Sequence, residues 1–244
     1  MHQDVTEVVV LCGGRGTRLG TLTAETPKPL LPVGGVPFLL HRLTALKHEG
    51  VSHIILAVRY LAQHFREFAA SYAHLLPQVT VIEEPAALGT GGALRHAAQA
   101  IRSPVFVALN GDSWMLQPIE PILAEHARRQ ARFTMVVVRA DQVEGPARDK
   151  GLVLFGPQGE LLGFSTGDGQ ADRWVNAGLY AIDREVVLAW PQGAYSLEER
   201  VMSLVPPGGG RVYCSEGRLL DIGTPDCYAQ AGRVLALDMG VAHS

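Results

Sequence analysis

The chain has 244 residues, of which 47% are hydrophobic and 18% are charged, and its formal net charge is -3. A chain of this length buries enough surface to fold without a disulfide or a metal staple. The charge balance argues against a general nucleic-acid or membrane-surface binder, which normally carries a basic excess. The three cysteines have no C-x-x-C spacing, which is typical of reduced thiols in a cytoplasmic protein. No apolar run reaches transmembrane length. We therefore expect a cytoplasmic protein that binds neither nucleic acid nor membrane.

Strand-like and helix-like segments alternate over residues 1–140. Short apolar, β-branched runs predict strands at Thr6–Leu11, His53–Val58, Val79–Ile82, Val105–Leu109 and Phe133–Arg139. Apolar residues at helical spacing predict helices over Pro37–Glu49, Leu61–Tyr72, Gly91–Ile101 and Glu120–Gln130. Such βα alternation predicts an α/β fold with a doubly wound, mostly parallel, Rossmann-like sheet that is flanked by helices.

The second half of the chain has a different pattern. Two short apolar runs, Leu152–Phe155 and Leu161–Phe164, are separated by a G-P-Q-G turn and predict a hairpin. Trp174–Ile182 is predicted to be a strand of a mixed sheet, and Leu197–Leu204 a short helix. Val212–Cys214 is predicted to be an edge strand, and Pro225–Leu237 a closing helix. We expect the sheet to be mixed and to carry a small β extension, and we expect the loops Asp141–Lys150 and Gly167–Asp172 to flank a ligand cleft.

A glycine-rich loop follows the first predicted strand and contains Gly13, Gly14 and Gly16. Glycines in a tight loop can aim successive backbone N–H groups at one point, which makes a concave anion site. The spacing matches neither the P-loop pattern nor G-x-G-x-x-G, because Leu19 stands where the third glycine would be.

Two cations follow this loop. Arg18 presents a planar fork of donors suited to phosphate oxygens. Lys28 lies between Pro27 and Pro29, and Pro29 biases Lys28 toward an extended conformation. The loop, the arginine and a rigidly presented lysine together predict a site that binds a triphosphate.

Two aspartates, Asp112 and Asp221, each follow an apolar run. Open α/β sheets bind ligands beyond the carboxyl ends of their strands, where Asp112 is predicted to lie. Carboxylates at such a place suit Mg²⁺ that also bridges phosphate oxygens. Each aspartate alone is typical of a turn, but the pair beside a triphosphate loop favours a metal site.

Glu84 follows the third predicted strand and precedes a glycine-rich segment. A carboxylate only accepts hydrogen bonds, so it pairs with a base edge that offers two donors. Guanine offers N1–H and the 2-amino group, whereas uracil offers one N–H between two carbonyls. Glu84 therefore favours guanine, although a solvated charge at the end of a strand is the alternative interpretation.

Taken together, these motifs resemble the sugar-1-phosphate nucleotidylyltransferases over nearly the whole chain. The matching motifs are L-C-G-G-x-G-T-R-L at Leu11–Leu19, P-K-P at Pro27–Pro29, E-P and L-G-T-G-G-A-L within Glu84–Leu94, L-N-G-D at Leu109–Asp112, N-A-G-L-Y at Asn176–Tyr180, S-L-E-E at Ser196–Glu199 and D-I-G-T-P at Asp221–Pro225. The resemblance implies one nucleotidyltransferase domain over residues 1–244, with residues 1–140 mainly binding nucleotide and residues 141–244 mainly binding the sugar phosphate.

The resemblance also implies roles for individual residues. The implied nucleotide contacts are Leu11, Gly13, Gly14, Gly16, Thr17, Arg18, Glu84, Gly89 and Thr90. The implied catalytic residues are Arg18, Lys28, Asp112 and Asp221, with Mg²⁺ held by the two aspartates. The implied sugar contacts are Gly111, Asn176, Gly178 and Glu198. Independently of the resemblance, Trp114 is expected either to stack on a ligand, because it follows Asp112 closely, or to lie in the core, and His126 is expected on a helix surface.

The implied reaction is attack of a sugar 1-phosphate on a nucleoside triphosphate, which gives a nucleotide sugar and pyrophosphate. Within the family, the cysteine of the loop, the L-G-T-G-G-A-L string and the single domain are most similar to guanylyltransferases that use GTP and D-glycero-α-D-manno-heptose 1-phosphate. N-acetylmuramate-1-phosphate uridylyltransferases and mannose-1-phosphate guanylyltransferases are the alternatives. The oligomeric state is left open between a monomer and a small homo-oligomer.

One feature departs from the family pattern. Many members carry a Glu-Lys pair just before the Asn-Ala-Gly strand, and that lysine holds the sugar phosphate. Here the stretch reads Phe164–Thr166 without a lysine, and Arg148, Lys150 or Arg173 is expected to replace it. This departure is the support for a rival hypothesis, a non-catalytic nucleotide sensor, whereas retention of both aspartates argues against it. A glycosyltransferase is disfavoured because Asp112 begins no D-x-D motif.

Overall fold

The computed structural model describes residues 6–145, 151–165 and 173–238. Within these residues nine strands form one sheet. They are β1 (Glu7–Leu11), β2 (His53–Val58), β3 (Gln78–Glu83), β4 (Val105–Asn110), β5 (Phe133–Arg139), β6 (Leu152–Phe155), β7 (Leu161–Ser165), β8 (Trp174–Asp183) and β9 (Gly210–Ser215). The helices are α1 (Phe38–His48), α2 (Ala62–Ser71), α3 (Gly89–Ala97), α4 (Ile119–Arg128), α5 (Arg184–Ala189), α6 (Leu197–Leu204) and α7 (Pro225–Asp238).

The first half of the chain forms the parallel part of the sheet. β1 lies between β4 and β2, and β3 pairs with the outer side of β2, all in parallel. Val8 pairs with Ile54 on one side and with Val107 on the other. The carboxyl ends of these strands therefore meet at one edge of the sheet, as the βα alternation predicts.

The second half makes the sheet mixed. β8 runs antiparallel to both β4 and β5, and β9 pairs with β5 in parallel. β6 and β7 form the predicted antiparallel hairpin, and β6 joins the amino-terminal part of β8. The predicted mixed α/β fold is confirmed.

Helices cover both faces of this sheet, because alternate strand residues point to opposite faces and both sets are apolar. Val8 and Val10 belong to a core that includes buried residues of α1, α2 and α4. Val9 belongs to a second core with residues of α3, α5 and α6. α7 packs on a third, smaller core. Among the described helices, none has both the length and the apolar character needed to cross a bilayer.

Three local expectations are corrected or decided. Lys28 is not extended: Lys28–Leu30 is a 3₁₀ turn in which Leu30 N donates to Pro27 O at 2.8 Å. His126 is not on the surface but buried, because α4 packs on β5 and β8, where His126 contacts Thr134 Oγ1 at 2.8 Å. Trp114 is fully buried in the third core, where its Nε1 donates to Asp238 at 2.7 Å.

Much of the two loops expected to flank the cleft, residues 146–150 and 167–172, lies outside the described residues. Short elements that the sequence did not predict connect the main ones. A strand pair joins Pro32–Val33 to Val36–Pro37, and Ser113–Trp114 pairs with Leu219–Asp221. The second of these ladders shapes the site described below.

The packing of the first core generates a stability prediction. Leu56 is fully buried in β2, so Leu56→Ala is expected to lower the free energy of unfolding by about 2–5 kcal/mol through lost transfer energy and a residual cavity. Leu162→Ala is the matched control, since this side chain is 62% exposed in β7 and its loss is expected to change stability by less than about 0.5 kcal/mol. Urea unfolding measures both, and equal effects would contradict this description of the core.

Candidate functional site

Lys28 lies between the two aspartates that the sequence singled out. Its Nζ is 2.8 Å from Asp112 Oδ2 and 3.0 Å from Asp221 Oδ1. The Lys28 side chain is buried, whereas Asp112 is about one-third exposed. Residues separated by up to 193 positions in the chain therefore share one charged cluster.

Backbone pairing explains why the two acids meet. Asp112 follows β4 at the carboxyl edge of the sheet, and the adjacent Ser113–Trp114 pairs antiparallel with Leu219–Asp221. In this ladder Asp221 lies opposite Ser113, and Ile222 N donates to Asp112 O at 3.1 Å. The position of Asp221 is thus set by strand pairing and not by its neighbours in sequence.

The charges of this cluster stabilise the ammonium of Lys28. Burial opposes the charged form, but the neighbouring carboxylates of Asp112 and Asp221 outweigh burial and raise the pKa of Lys28 above its ordinary 10.5. Because the pKa is raised in the folded state, this contribution to stability is fully present below pH 10.5 and is lost only as the pH rises through the folded-state value. Lys28 is therefore cationic throughout the physiological range.

The glycine loop brings its own cation next to Lys28. Gly16 has φ +65°, a left-handed conformation that favours glycine, and its carbonyl accepts a hydrogen bond from Thr23 Oγ1 at 3.1 Å. A Cβ on Gly223 would meet Arg18 Nη2, Lys28 Nζ and Asp221 Oδ1, each at 2.9 Å. Any side chain at Gly223 would therefore displace the charged groups around it.

These groups line a cavity of about 200 Å³. Its lining includes Gly14, Gly16, Thr17, Arg18, Lys28 and Asp112. Backbone N–H groups, two cations and a carboxylate are the groups that a polyphosphate and its counter-ion require. Most of the predicted phosphate-binding residues are thus brought together on one cavity, whereas Gly13 lines the adjoining one.

A second cavity of about 440 Å³ adjoins the first, since Leu11, Gly14 and Asp112 line both. Its lining also includes Gly13, Glu84, Gly89 and Thr90, which the sequence assigned to nucleotide binding. A volume of this order is typical of a small-molecule site.

Glu84 is a buried acid in the wall of this second cavity. Its Oε2 accepts the Leu88 N–H at 3.2 Å, and its other oxygen lies against Gly13. Burial raises the pKa of Glu84 above 4.5, and the Leu88 hydrogen bond and the nearby Arg59 and His96 oppose that shift. A buried carboxylate that accepts one backbone donor keeps acceptor capacity for a ligand.

The predicted sugar-side residues form a hydrogen-bonded group at the border of this cavity. Thr90 Oγ1 donates to Glu198 Oε2 at 3.0 Å, and Asn176 Nδ2 donates to the Tyr180 hydroxyl at 2.7 Å. Burial, followed by the charge of Glu198, raises the pKa of Tyr180 well above 10.0. Gly178 lies against the side chain of Asn110, which lines the cavity.

Gly111 lies deeper, beside the first strand. Its N–H donates to Leu11 O at 2.9 Å, and its Cα faces the buried Cys12. Burial, with the charges of Asp112 and Glu84, raises the pKa of the Cys12 thiol well above 9.0. The Cys12 thiol is therefore protonated at neutral pH, and Cys12 acts as a small buried side chain.

Several residues that line the two cavities were not predicted as site residues, and four of them bear on the chemistry. Arg15, Arg59 and Asn110 line the larger cavity, and Gly223 lines the smaller one. Arg59 and Asn110 end or follow predicted strands, so their place at the carboxyl edge was an available signal. Gly223 lies in the D-I-G-T-P motif, but its place beside Lys28 was not predicted, because the ladder that includes Leu219–Asp221 was not predicted.

The stretch that lacks the family lysine ends at Thr166, which lies outside the described residues together with Arg148 and Lys150. Arg173 is described, and its carbonyl accepts from Ala140 N at 2.7 Å. Which side chain replaces the lysine stays a prediction. Among the described residues no group of three or more His, Cys, Asp or Glu side chains forms a metal-binding cluster.

The fold and the paired cavities together define a site suited to a nucleotide and its phosphates. The chain belongs to the nucleotidyl transferase family, whose model matches residues 7–236. This match covers β1 to α7 and therefore includes every segment that contributes to the site.

Curated relatives are guanylyltransferases by name. The chain is 32% identical over 98% of its length to a mannose-1-phosphate guanylyltransferase of Mycobacterium tuberculosis, of which it covers 66%. It is 25% identical to a D-glycero-alpha-D-manno-heptose 1-phosphate guanylyltransferase of Campylobacter jejuni, of which it covers 96%. The chain thus spans about two thirds of the first relative and nearly all of the second.

A solved structure has the same fold over nearly its whole length. The crystal structure of HddC from Yersinia pseudotuberculosis superposes with a TM-score of 0.81 at 25% identity, covering 94% of this chain and 99% of that one. A second crystal structure of HddC is a complex with GMP-PN.

The burial of Glu84 generates a pH prediction. Because its pKa is raised in the folded state, the contribution of Glu84 to the free energy of unfolding is expected to fall as the pH rises through the interval above 4.5. Glu84→Gln keeps an acceptor for Leu88 N and carries no charge, so the ligand-free variant is expected to be more stable than wild type at pH 7. Urea unfolding at pH 7 and at pH 4.5 measures the difference in free energy of unfolding between the variant and wild type. This difference is expected to be smaller at pH 4.5, because Glu84 is then largely protonated and uncharged.

Glu83→Gln is the matched control, since Glu83 lies beside Glu84 but is half exposed and pairs with Arg66. It is expected to change stability by less than about 0.5 kcal/mol. A Glu84→Gln variant that is less stable than wild type at pH 7 would contradict the assignment of Glu84 as a buried, costly charge.

Proposed function

We propose that this chain transfers the guanylyl group of GTP to a sugar 1-phosphate and releases pyrophosphate. The observation that carries the proposal is the position of Lys28 between Asp112 and Asp221, beside Arg18 and the glycine loop. Open α/β sheets bind ligands beyond the carboxyl ends of their strands, which is where this buried ammonium and its two acids lie.

The reaction is an in-line attack by a phosphate oxygen of the sugar 1-phosphate on the α-phosphorus of GTP. Its barrier arises mainly from the crowding of negative charge, so positioning and cations supply the catalysis, and no covalent enzyme intermediate is needed. Backbone N–H groups of the loop, with Gly16 and Thr17, hold the triphosphate. Arg18 binds the departing phosphates, and Lys28 stabilises charge at the attacked phosphorus.

Asp112 and Asp221 are the residues that would hold Mg²⁺. Their carboxylates converge within 3.0 Å of one ammonium, and Asp112 also lines the smaller cavity, so the donor set suits a hard cation that completes its shell with phosphate oxygens and water. When bound, the ion supplies neutralisation of phosphate charge. The pair argues against a non-catalytic sensor, which has no need of two such acids.

Guanine is the base that the larger cavity suits best. Glu84 is a buried acceptor in its wall, and guanine offers two neighbouring donors. The names of the curated relatives and the GMP-PN complex of HddC support the same base. Leu11 and Gly89 cover the ring in this proposal.

Two sugar 1-phosphates are supported by different comparisons. Near-complete coverage of the Campylobacter relative favours D-glycero-α-D-manno-heptose 1-phosphate, which we propose as the substrate. The higher identity to the Mycobacterium relative favours mannose 1-phosphate as the second candidate. In both cases Asn176 and Glu198 bind sugar hydroxyls, with Gly111 and Gly178 beside them.

We also propose that residues 1–244 act as one domain in the cytoplasm. The parallel strands of residues 1–140 supply the nucleotide half, and residues 141–244 supply most of the sugar-phosphate half. The ladder that ends at Asp221 joins the two halves at the charged cluster.

Removal of Lys28 is expected to affect turnover far more than folding. Lys28→Ala loses a cation at the attacked phosphorus, so kcat is expected to fall about 10²- to 10³-fold or more. Pyrophosphate release measures kcat, and thermal unfolding measures stability. Lys47→Ala is the control, because Lys47 is an exposed lysine of α1 that donates to Leu75 O. Turnover of the Lys28 variant at the wild-type rate would remove Lys28 from the mechanism.

The base preference is expected to be strong. With Mg²⁺ and a panel of sugar 1-phosphates that includes the heptose and mannose compounds, GTP is expected to exceed UTP, ATP and CTP by at least about 100-fold in kcat/KM, since a mismatched base leaves Glu84 unpaired. Pyrophosphate is scored for each pair. UTP that matches GTP would overturn the role of Glu84 and favour the uridylyltransferase alternative, and absence of pyrophosphate in every pair would favour the sensor.

A further inference from the structure

Arg59 and Glu84 lie side by side at the carboxyl edge of the sheet. β2 and β3 are paired in parallel with Val58 opposite Glu83, so the residues that follow, Arg59 and Glu84, leave the sheet together. Glu84 N donates to Val58 O at 2.8 Å, which extends the pairing by one step. The strand ladder therefore places the backbones of Arg59 and Glu84 next to each other.

Arg59 is an exposed residue and lines the same cavity as Glu84. Unlike its neighbour Arg66, which binds Glu83 at 2.6 Å, Arg59 donates no hydrogen bond to any residue that the structure describes. Arg15 also lines the cavity, but its guanidinium lies over the Tyr60 ring at 5.2 Å. The planar guanidinium of Arg59 is thus available to donate hydrogen bonds to a ligand, next to the buried acceptor Glu84.

The phosphates have cations of their own. Arg18 and Lys28 line the smaller cavity, and neither Arg59 nor Glu84 is among the residues that line it. Arg59 therefore faces the part of the paired cavity that holds the base in the proposed function. A guanidinium that faces the base can donate two hydrogen bonds to it if the base presents two neighbouring acceptors.

We propose that Arg59 reads the O6 and N7 acceptors of guanine while Glu84 accepts from N1–H and the 2-amino group, an inference that rests on the proposed function. Guanine presents O6 and N7 as neighbouring acceptors, and a bidentate arginine is the side chain best matched to them. Adenine presents a donor, the 6-amino group, beside N7, so the same fork would leave one N–H facing a donor. Arg59 is accordingly a specificity-determining residue, and the acid and the arginine together read complementary edges of one base.

The test is a comparison of GTP with 7-deaza-GTP, which lacks the N7 acceptor. Binding is measured by calorimetry with Mg²⁺ present, and pyrophosphate release is measured in parallel. Wild type is expected to bind 7-deaza-GTP about 10-fold more weakly than GTP, since a hydrogen bond from a charged donor is lost. Arg59→Met is expected to weaken GTP binding about 10- to 100-fold and to bring the two affinities within about 2-fold of each other.

Two further variants separate geometry from charge. Arg59→Lys keeps the charge but not the fork, so the discrimination against 7-deaza-GTP is expected to fall below about 3-fold. Arg66→Met removes the same charge from the adjacent helix, and its GTP affinity is expected to stay within about 2-fold of wild type. Because Arg59 and Arg66 are exposed, these variants are expected to fold.

The outcomes distinguish this inference from the proposed function. Suppose that wild type releases pyrophosphate from GTP and that Arg59→Met keeps the wild-type ratio of affinities for GTP and 7-deaza-GTP. That result would overturn the role of Arg59 and leave the enzyme assignment standing. If Arg59→Met binds GTP and 7-deaza-GTP equally well while wild type turns over no sugar 1-phosphate, the role of Arg59 in base recognition is supported and the transferase assignment is overturned. Absence of GTP binding by wild type would overturn both.

Discussion

The phosphate site depends on one buried charge. Lys28 lies within 3.0 Å of both Asp112 and Asp221, and each of the three residues comes from a different part of the chain. Two carboxylates this close repel each other unless a cation lies between them, and a buried ammonium is stable only if acids surround it. The cluster therefore holds the glycine loop, the end of β4 and the ladder at Asp221 in one arrangement. The phosphate site is built on that arrangement, because Arg18 and Gly223 contact the same group of atoms.

The larger cavity shows a different balance of forces. Burial raises the pKa of Glu84, so the ligand-free protein keeps an acid in an environment that opposes its charge. Such unfavourable positions are expected at binding sites, where a ligand supplies the missing partner. Arg59 on the neighbouring strand end lowers that unfavourable energy from a distance without forming a hydrogen bond. The acid and the arginine are thus held by the backbone pairing of β2 with β3, and not by each other.

Much of the architecture follows from local pattern. The strands His53–Val58 and Phe133–Arg139 and the helix Leu197–Leu204 have the bounds that the sequence predicts, because their apolar runs end at turn or charged residues. The places where the pattern failed share a cause. His126 was expected on a surface because a lone polar residue on a helix usually is exposed, but α4 packs that face against Thr134 and Asp183. Lys28 was expected to be extended, but it begins the 3₁₀ turn Lys28–Leu30, in which the Pro27 carbonyl accepts a hydrogen bond from Leu30 N.

The sequence by itself determined the order along the chain of the main strands and helices except α5, the glycine loop and the identity of the charged residues. These features depend on composition and on periodicity along a short stretch. The sequence also predicted that Asp112 and Asp221 share one site, but only the tertiary structure decided how those two residues meet and that Arg59 lies beside Glu84. Asp221 reaches Asp112 through a ladder of a few residues whose partners are more than 100 positions apart, and Arg59 reaches Glu84 through the register of two parallel strands. Contacts of this kind depend on long-range pairing, for which a local pattern carries no information about the partner.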